Sequence, residues 1–495
     1  MLKPGFSANT RCRGIDLLIL AAGALLLFYF IAAPTIDFDE GYFFQPGLHA
    51  LKSGKPGFPW TDALYGAPHL YIPLNSLDPL VNWPLAYLPP PWWLLSGRLL
   101  SALAVCLGVI VLYAGRRESG RDYLQTGVLL FLATCLPLIL IGRQIRPDGL
   151  AFFGFCAALL LASKPQRRWT FAAGLLIGLV ALAHAIHGLL AGAVILGMVL
   201  LSPPSSIAGA VKRALVYVVG ASIPIVVFYG VYCAIEGPAS VWRDANLLMA
   251  LTPHYVSSLA PGDNFMAWAN YVRSQANTWP LLGFALLALL TPIEAAAPGL
   301  ATRFLKAAIV GLLIFWIFFY PKKAYTIVVL LLPMAIVLYY SARNAWPRLF
   351  GLAFVLCLAA NTALLVRYHW RLLEQPGGMA EVAPILGELK QQGAIRPGAA
   401  VMGKLWLVFA LPRDVTLWDV GVFPLMLGKN SSASAGFDEA IRRSDAVVLE
   451  RDGDGWMDAG QAELARHLAA AGWREVPVQT RRYFQPAEIS IFLPR

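Results

Sequence analysis

Charge is what this sequence has least of. Only 14% of its 495 residues are Asp, Glu, Lys or Arg, where a soluble domain carries about 25%. Hydrophobic residues make up 58%, and mean hydropathy is +0.62. The shortage excludes an ordinary soluble protein and identifies a polytopic membrane protein. Cysteine is also sparse. Five of the six, Cys106, Cys135, Cys156, Cys233 and Cys357, lie in apolar stretches, and Cys12 lies in the basic leader. No external loop or tail segment holds one, which excludes a disulfide framework. The tail has no Gly-rich phosphate loop, and its Asp452-Gly453-Asp454-Gly455 lacks the distal Glu of a calcium loop. That stretch reads as a turn.

The few charges are unevenly placed. Residues 1–366 hold 24 Lys and Arg against 13 Asp and Glu, whereas residues 367–495 hold 15 of each. The tail is therefore an electrically balanced soluble module, and the basic surplus belongs to the membrane part. Such a surplus reports topology and gives no reason to expect nucleic acid as a partner. Eleven apolar spans are predicted, at 15–33, 96–115, 126–142, 148–163, 170–183, 186–201, 214–235, 279–293, 307–320, 324–340 and 349–366. With the N-terminus in the cytoplasm, 15 basic residues fall inside and nine outside before the tail. This orientation puts an acidic stretch near residue 39, a loop at 236–278 and the tail on the outer side of the plasma (inner) membrane. The first span has a basic start and ends at Ala32-Ala33, in the outline of a signal peptide. Its core is long for one, so it reads as a span.

The expected architecture has two parts. Residues 1–366 form an α-helical polytopic membrane domain with an interfacial loop at 34–95. Residues 367–495 form a small extracytoplasmic α/β domain, from helical patterns at 381–391 and 462–471 alternating with buried strands at 399–402, 446–449 and 489–492. The loop contains Trp60, Tyr65, Tyr71, Trp83, Tyr87, Trp92 and Trp93, the residue types that settle at a membrane surface. Within it, Leu51-Lys52-Ser53-Gly54 reads as the end of a short helix with a Gly stop.

Three sites of unexpected charge stand out. Asp37, Asp39 and Glu40 follow directly on the first span, where charge either reaches for water or performs a function. Arg143-Gln144-Ile145-Arg146-Pro147-Asp148 fills a tight external turn, and Lys322-Lys323-Ala324-Tyr325 another. Four cations in the shortest external turns run against the topology rule. Lipid headgroups satisfy them by snorkelling, or an anion held at the outer face explains them. Asp148 after Pro147 caps the following helix or orients Arg146. His184 and His187, three apart, share a helix face; interfacial hydrogen bonding explains them more simply than a metal, so no metal site is predicted.

This arrangement resembles the GT-C superfamily of membrane glycosyltransferases. The likeness is to the branch with protein O-mannosyltransferases, lipid A aminoarabinose transferases and rhizobial galacturonosyltransferases. It rests on the Asp39-Glu40 pair with Tyr42 and Leu51-Lys52-Ser53-Gly54, on the Arg-x-x-x-Pro-Asp turn at Arg143 to Asp148, and on Lys322-Lys323-Ala324-Tyr325 before a helix containing Pro333. One departure is the first loop, where Tyr71-Ile72-Pro73-Leu74-Asn75 and Asp78 replace a Lys-Pro-Pro stretch. The resemblance implies transfer of a sugar from a polyprenyl-phosphate carrier to a glycan, lipid or protein hydroxyl. Asp39 is then the expected base, with Glu40 orienting it, binding the acceptor or holding a cation. Tyr42, Arg143, Arg146, Asp148, Lys322, Lys323 and Tyr325 are the expected substrate-binding set. No cofactor is expected, although a divalent cation is compatible with the chemistry. The rival from another class is a transporter or flippase of lipid-linked sugars without chemistry of its own, which predicts intramembrane polar residues and broken helices.

Overall fold

The structure, a computed structural model, describes residues 6–31, 38–59, 62, 67–71, 77–115, 122–164, 166–201, 206–255, 261–274, 276, 278–291, 300–318, 325–340, 348–374, 382–420, 440–450, 456–482 and 485–494. The membrane part is a helical bundle. Its helices are α1 (Phe6–Ile31), α2 (Phe38–Ser53), α3 (Leu77–Asn82), α4 (Trp93–Ala114), α5 (Asp122–Thr134), α6 (Leu136–Arg143), α7 (Pro147–Ala162) and α8 (Arg167–Ala183). They continue as α9 (Ala185–Leu201), α10 (Ile207–Glu236), α11 (Pro238–Tyr255), α12 (Pro261–Ser274), α13 (Thr278–Leu290), α14 (Leu300–Phe318), α15 (Tyr325–Tyr340) and α16 (Arg348–Leu373).

Ten of the eleven predicted spans coincide with single helices. The span predicted at 126–142 is instead the pair α5 and α6, bent by 54° at Cys135. Pro137 is the cause: it lacks the N–H that would continue the ladder, and its ring crowds the carbonyl four residues back. Among the described residues, α1, α4, α10 and α16 are long and apolar enough to cross a membrane, and the bent pair makes a fifth. Two of the shorter apolar helices, α7 and α15, expose no described residue and lie inside the protein. In α15, every residue from Ile327 to Ile336 for which burial is given is at most 4% exposed, Pro333 apart. Helices sheathed by other helices need not match a hydrocarbon core of about 30 Å. Against the long α10, α8 packs backbone to backbone: a Cβ on Gly178 would come within 2.4 Å of the Ala221 carbonyl oxygen. Small residues at such a seam let membrane helices approach closely.

α2 is the element on which the outer part of the molecule is built. It ends as the sequence predicts, with Gly54 at φ +79° and its N–H on the Ala50 carbonyl. At its other end Glu40 is fully buried and held by Arg98 of α4 through two bonds, Nε to Oε1 and Nη2 to Oε2, each 2.7 Å. Arg98 Nη1 also donates to the Ile31 carbonyl at 3.0 Å, and the Ile145 amide donates to Glu40 Oε1 at 3.1 Å. One ion pair thus joins α1, α2, α4 and the turn before α7. Further along, His69 bridges Glu236 at 3.0 Å and Asp244 at 2.9 Å, pinning the interfacial loop to α10 and α11.

The soluble domain adds α17 (Ala383–Gln391), β1 (Ala400–Gly403), β2 (Thr416–Asp419), β3 (Ala446–Glu450), α18 (Trp456–Ala470), β4 (Arg474–Arg482) and β5 (Gln485–Leu493). The strand order is β2-β1-β3-β5-β4. β1 runs parallel to β2 and β3, and β5 runs antiparallel to β3 and β4. The small α/β domain is as predicted, but β2 and β4 were not legible. β2 has only four residues, and β4 carries Pro477 and four arginines and glutamates, the composition of an edge strand. Nor does the domain hang free. Phe43, Phe44, Phe58, Trp93 and Ile145 share one apolar core with Trp406, Phe409 and Leu417. Gln45 donates to the Leu417 carbonyl at 2.7 Å, and Arg413 to those of Ala86 and Leu88, both at 2.9 Å.

Removing one partner of a buried ion pair costs about 3–5 kcal/mol, whereas replacing both by apolar groups costs far less. Arg98→Ala is therefore expected to lower the thermal unfolding temperature in detergent sharply. The double change Arg98→Met with Glu40→Leu is expected to recover part of the loss; a double variant worse than Arg98→Ala would refute the clamp.

Candidate active site

The acidic stretch and the first basic turn meet. Asp37 lies outside the described residues. Asp39 sits in the first turn of α2, one residue before the clamped Glu40, and its side chain lies outside the described residues. The Ile145 amide on Glu40 brings this turn of α2 against the Arg143–Asp148 segment. Both Glu40 oxygens are engaged by Arg98, so in this arrangement Glu40 positions α2. Tyr42 stacks on Phe58 with ring centres 5.3 Å apart, facing the core that carries the soluble domain.

Local sequence explains the shape of the turn. Arg146 precedes a proline, which pushes its backbone to φ −148° and ψ 149°, and Pro147 then opens α7 at the position that tolerates a missing N–H. Asp148 follows in the first helical turn, where the helix dipole favours an anion. Its Oδ2 accepts from Arg146 Nε at 2.7 Å, so it orients that guanidinium. The Arg143 guanidinium lies 5.8 Å over the Tyr368 ring of α16. Arg143, Arg146 and Asp148 are all buried. Three ionisable groups buried in an apolar bundle are costly to place, which makes the turn a candidate functional site.

Lys322 and Lys323 lie outside the described residues; Tyr325 opens α15, and its side chain lies outside them too. The residues that bracket them are informative. Phe315 near the end of α14 and Ile327 at the start of α15 line a small cavity with Ile186 and His187. His187 in turn lies 3.8 Å from Asp148, Nδ1 to Oδ1. The helix ends flanking the second basic turn therefore reach the neighbourhood of the first. Asn264 of α12, from the predicted 236–278 loop, donates to the Phe318 carbonyl at 2.7 Å and covers the same end of α14.

Two participants were not singled out in the sequence. Arg98 stands two residues inside a predicted span, and a lone arginine there demands a partner, so the signal existed. Tyr368 carried no signal, because it lay two residues beyond the last predicted span. A buried guanidinium held by a carboxylate, with a second buried guanidinium in the same turn, suits an anionic oxygen cluster. Arg presents five donors in a planar fork that matches phosphate.

In sequence, the chain matches no family profile and no curated protein. In structure it is similar to ArnT from Cupriavidus metallidurans, in the form bound to undecaprenyl phosphate (TM-score 0.63, 15% identity, 96% of this chain and 98% of that one). The apo form of the same protein gives a TM-score of 0.62 at 15% identity, over 97% and 98% of the two chains. ArnT is a lipid A aminoarabinose transferase, and the likeness extends over both the helical bundle and the terminal sheet. The chain has the fold of ArnT, a polytopic helical bundle carrying a small α/β domain.

Proposed function

We propose that the protein is an integral-membrane glycosyltransferase that moves a hexosyl or pentosyl group from a polyprenyl-phosphate carrier to an acceptor hydroxyl at the outer face of the plasma membrane. The observation that carries this reading is the Glu40–Ile145 hydrogen bond. It holds the residue next to Asp39 against a turn whose buried arginines suit a phosphate. The ArnT structure of the same fold contains undecaprenyl phosphate, a carrier of this chemical class.

The reaction is a single displacement. The Asp39 carboxylate takes the proton of the acceptor hydroxyl, whose oxygen attacks the anomeric carbon. The bond from that carbon to the carrier phosphate oxygen breaks, and its electron pair leaves with the phosphate. Arg143, Arg146, Lys322 and Lys323 stabilise the charge that develops there. Asp148 keeps Arg146 in place. No carboxylate in this set is assigned the role of a nucleophile, so the sugar carbon inverts. The acceptor is a glycan, a lipid or a protein, reached with the N-terminus in the cytoplasm and the soluble domain outside.

The 54° break between α5 and α6 is a feature a flippase of the same lipid would also use. Asp39→Asn separates the two. The transferase is expected to lose at least 100-fold in transfer rate, the lower bound for a general base, with carrier binding and unfolding temperature unchanged. A flippase would be indifferent. Lys322→Ala is expected to weaken binding of a polyprenyl phosphate by about 10-fold or more, as one charge-assisted bond is lost. Unchanged affinity would remove that lysine from the phosphate site. Anomeric configuration read by NMR on the product is expected to be the inverse of the donor's.

A further inference from the structure

The proposed transfer step uses Asp148 only through Arg146, and it uses neither His184 nor His187. These three residues form a cluster of their own. Asp148 stands in the first turn of α7, His184 is the single residue linking α8 to α9, and His187 is in the first turn of α9. Each offers one ligand atom, and the three atoms lie within 4.8 Å of one another. Asp148 and His187 are buried, and His184 is half-buried.

Two details point to a cation. Asp148 Oδ2 is taken by Arg146, but Oδ1 is buried and accepts no hydrogen bond, since His187 Nδ1 is 3.8 Å away. A buried carboxylate oxygen without a donor is costly and calls for a partner. The two imidazoles lie stacked, 3.8 Å between ring centres and 18° between planes. Two imidazolium rings at that separation repel, whereas neutral rings stack, and neutral imidazole is the form that ligates a metal.

We propose that Asp148, His184 and His187 bind a divalent transition-metal ion of the zinc class. Two imidazole nitrogens and one carboxylate oxygen suit Zn²⁺ or Co²⁺ better than Mg²⁺ or Ca²⁺, which take oxygen ligands. Metal bonds of about 2.0–2.2 Å put ligand atoms roughly 3.3 Å apart. The three atoms therefore close by up to about 1.5 Å, a rotation of the side chains that tilts the stacked rings and gives up the 3.4 Å approach of the His187 amide to His184 Nδ1. Three protein ligands leave a fourth position open, the pattern of metal sites that meet water or substrate. The charge count says what fits there. A dication beside Arg146 outweighs the single negative charge of Asp148, and a buried excess of charge is unfavourable. An anionic oxygen as fourth ligand corrects it.

Tag-free purified protein in detergent, stripped with chelator and titrated with Co²⁺, tests the site without any sugar donor, so its outcome is separate from that of the transfer reaction. One equivalent is expected to bind with visible d–d absorption, competed away by Zn²⁺. The band is expected to fade below about pH 6 as the imidazoles protonate. His184→Ala and His187→Ala are each expected to weaken binding at least 10-fold. Absence of a stoichiometric band in the wild type, or a band that survives in the double variant, would overturn the proposal. Where a variant unfolds, the wild type still decides: Zn²⁺ is expected to raise its unfolding temperature and EDTA to reverse the rise, and no shift refutes the site.

Discussion

A carboxylate and a guanidinium sealed inside apolar protein hold the outer part of this molecule in register. Neither Glu40 nor Arg98 can stay buried alone, because the desolvation of either charge is affordable only against the other. Both Glu40 oxygens and all three arms of the guanidinium take part, the arms reaching Glu40 and the Ile31 carbonyl. The pair also draws in the Ile145 amide. Four separate stretches of chain must therefore arrive together, and the result is that the start of α2 has one position relative to the Arg143–Asp148 turn. That constraint brings the proposed base and the proposed phosphate site to one mouth of the bundle.

The charges around that mouth follow a consistent pattern. Each buried ionisable group whose partners are known is tied to the next: Arg146 to Asp148, Asp148 towards His187, Arg143 over the face of Tyr368. The lipid-facing helices show the opposite character. α10 turns Ile207, Val226, Val227 and Val231 outward.

Much of this was legible in sequence because the two signals that carry it are strong. Long apolar runs marked the eleven predicted spans, and the cations of the Arg143–Asp148 turn stood out against the positive-inside pattern. The break in the third span was written in Pro137 but was masked by the hydropathy of its neighbours. Arg98 was visible as a misplaced charge, whereas its partner Glu40 was read as part of a site because only the fold brings residues 40 and 98 together. The pairing of Asp148 with His187 was hidden for the same reason: 39 positions separate them in sequence. In the soluble domain, short β2 and the charged edge strand β4 lacked the continuous apolar run that buried β1 and β3 display.

The shared core beneath the terminal domain has a consequence for biosynthesis. β5 lies between β3 and β4, so the sheet closes only after residues 485–493 have been made. Until then the apolar core that Phe43 and Phe44 share with the sheet is incomplete. The end of the bundle that carries α2 is thus completed after its first helices are in the bilayer. A chain truncated late in translation would leave an inserted bundle with a raw aromatic face, the kind of surface that membrane quality-control proteases recognise.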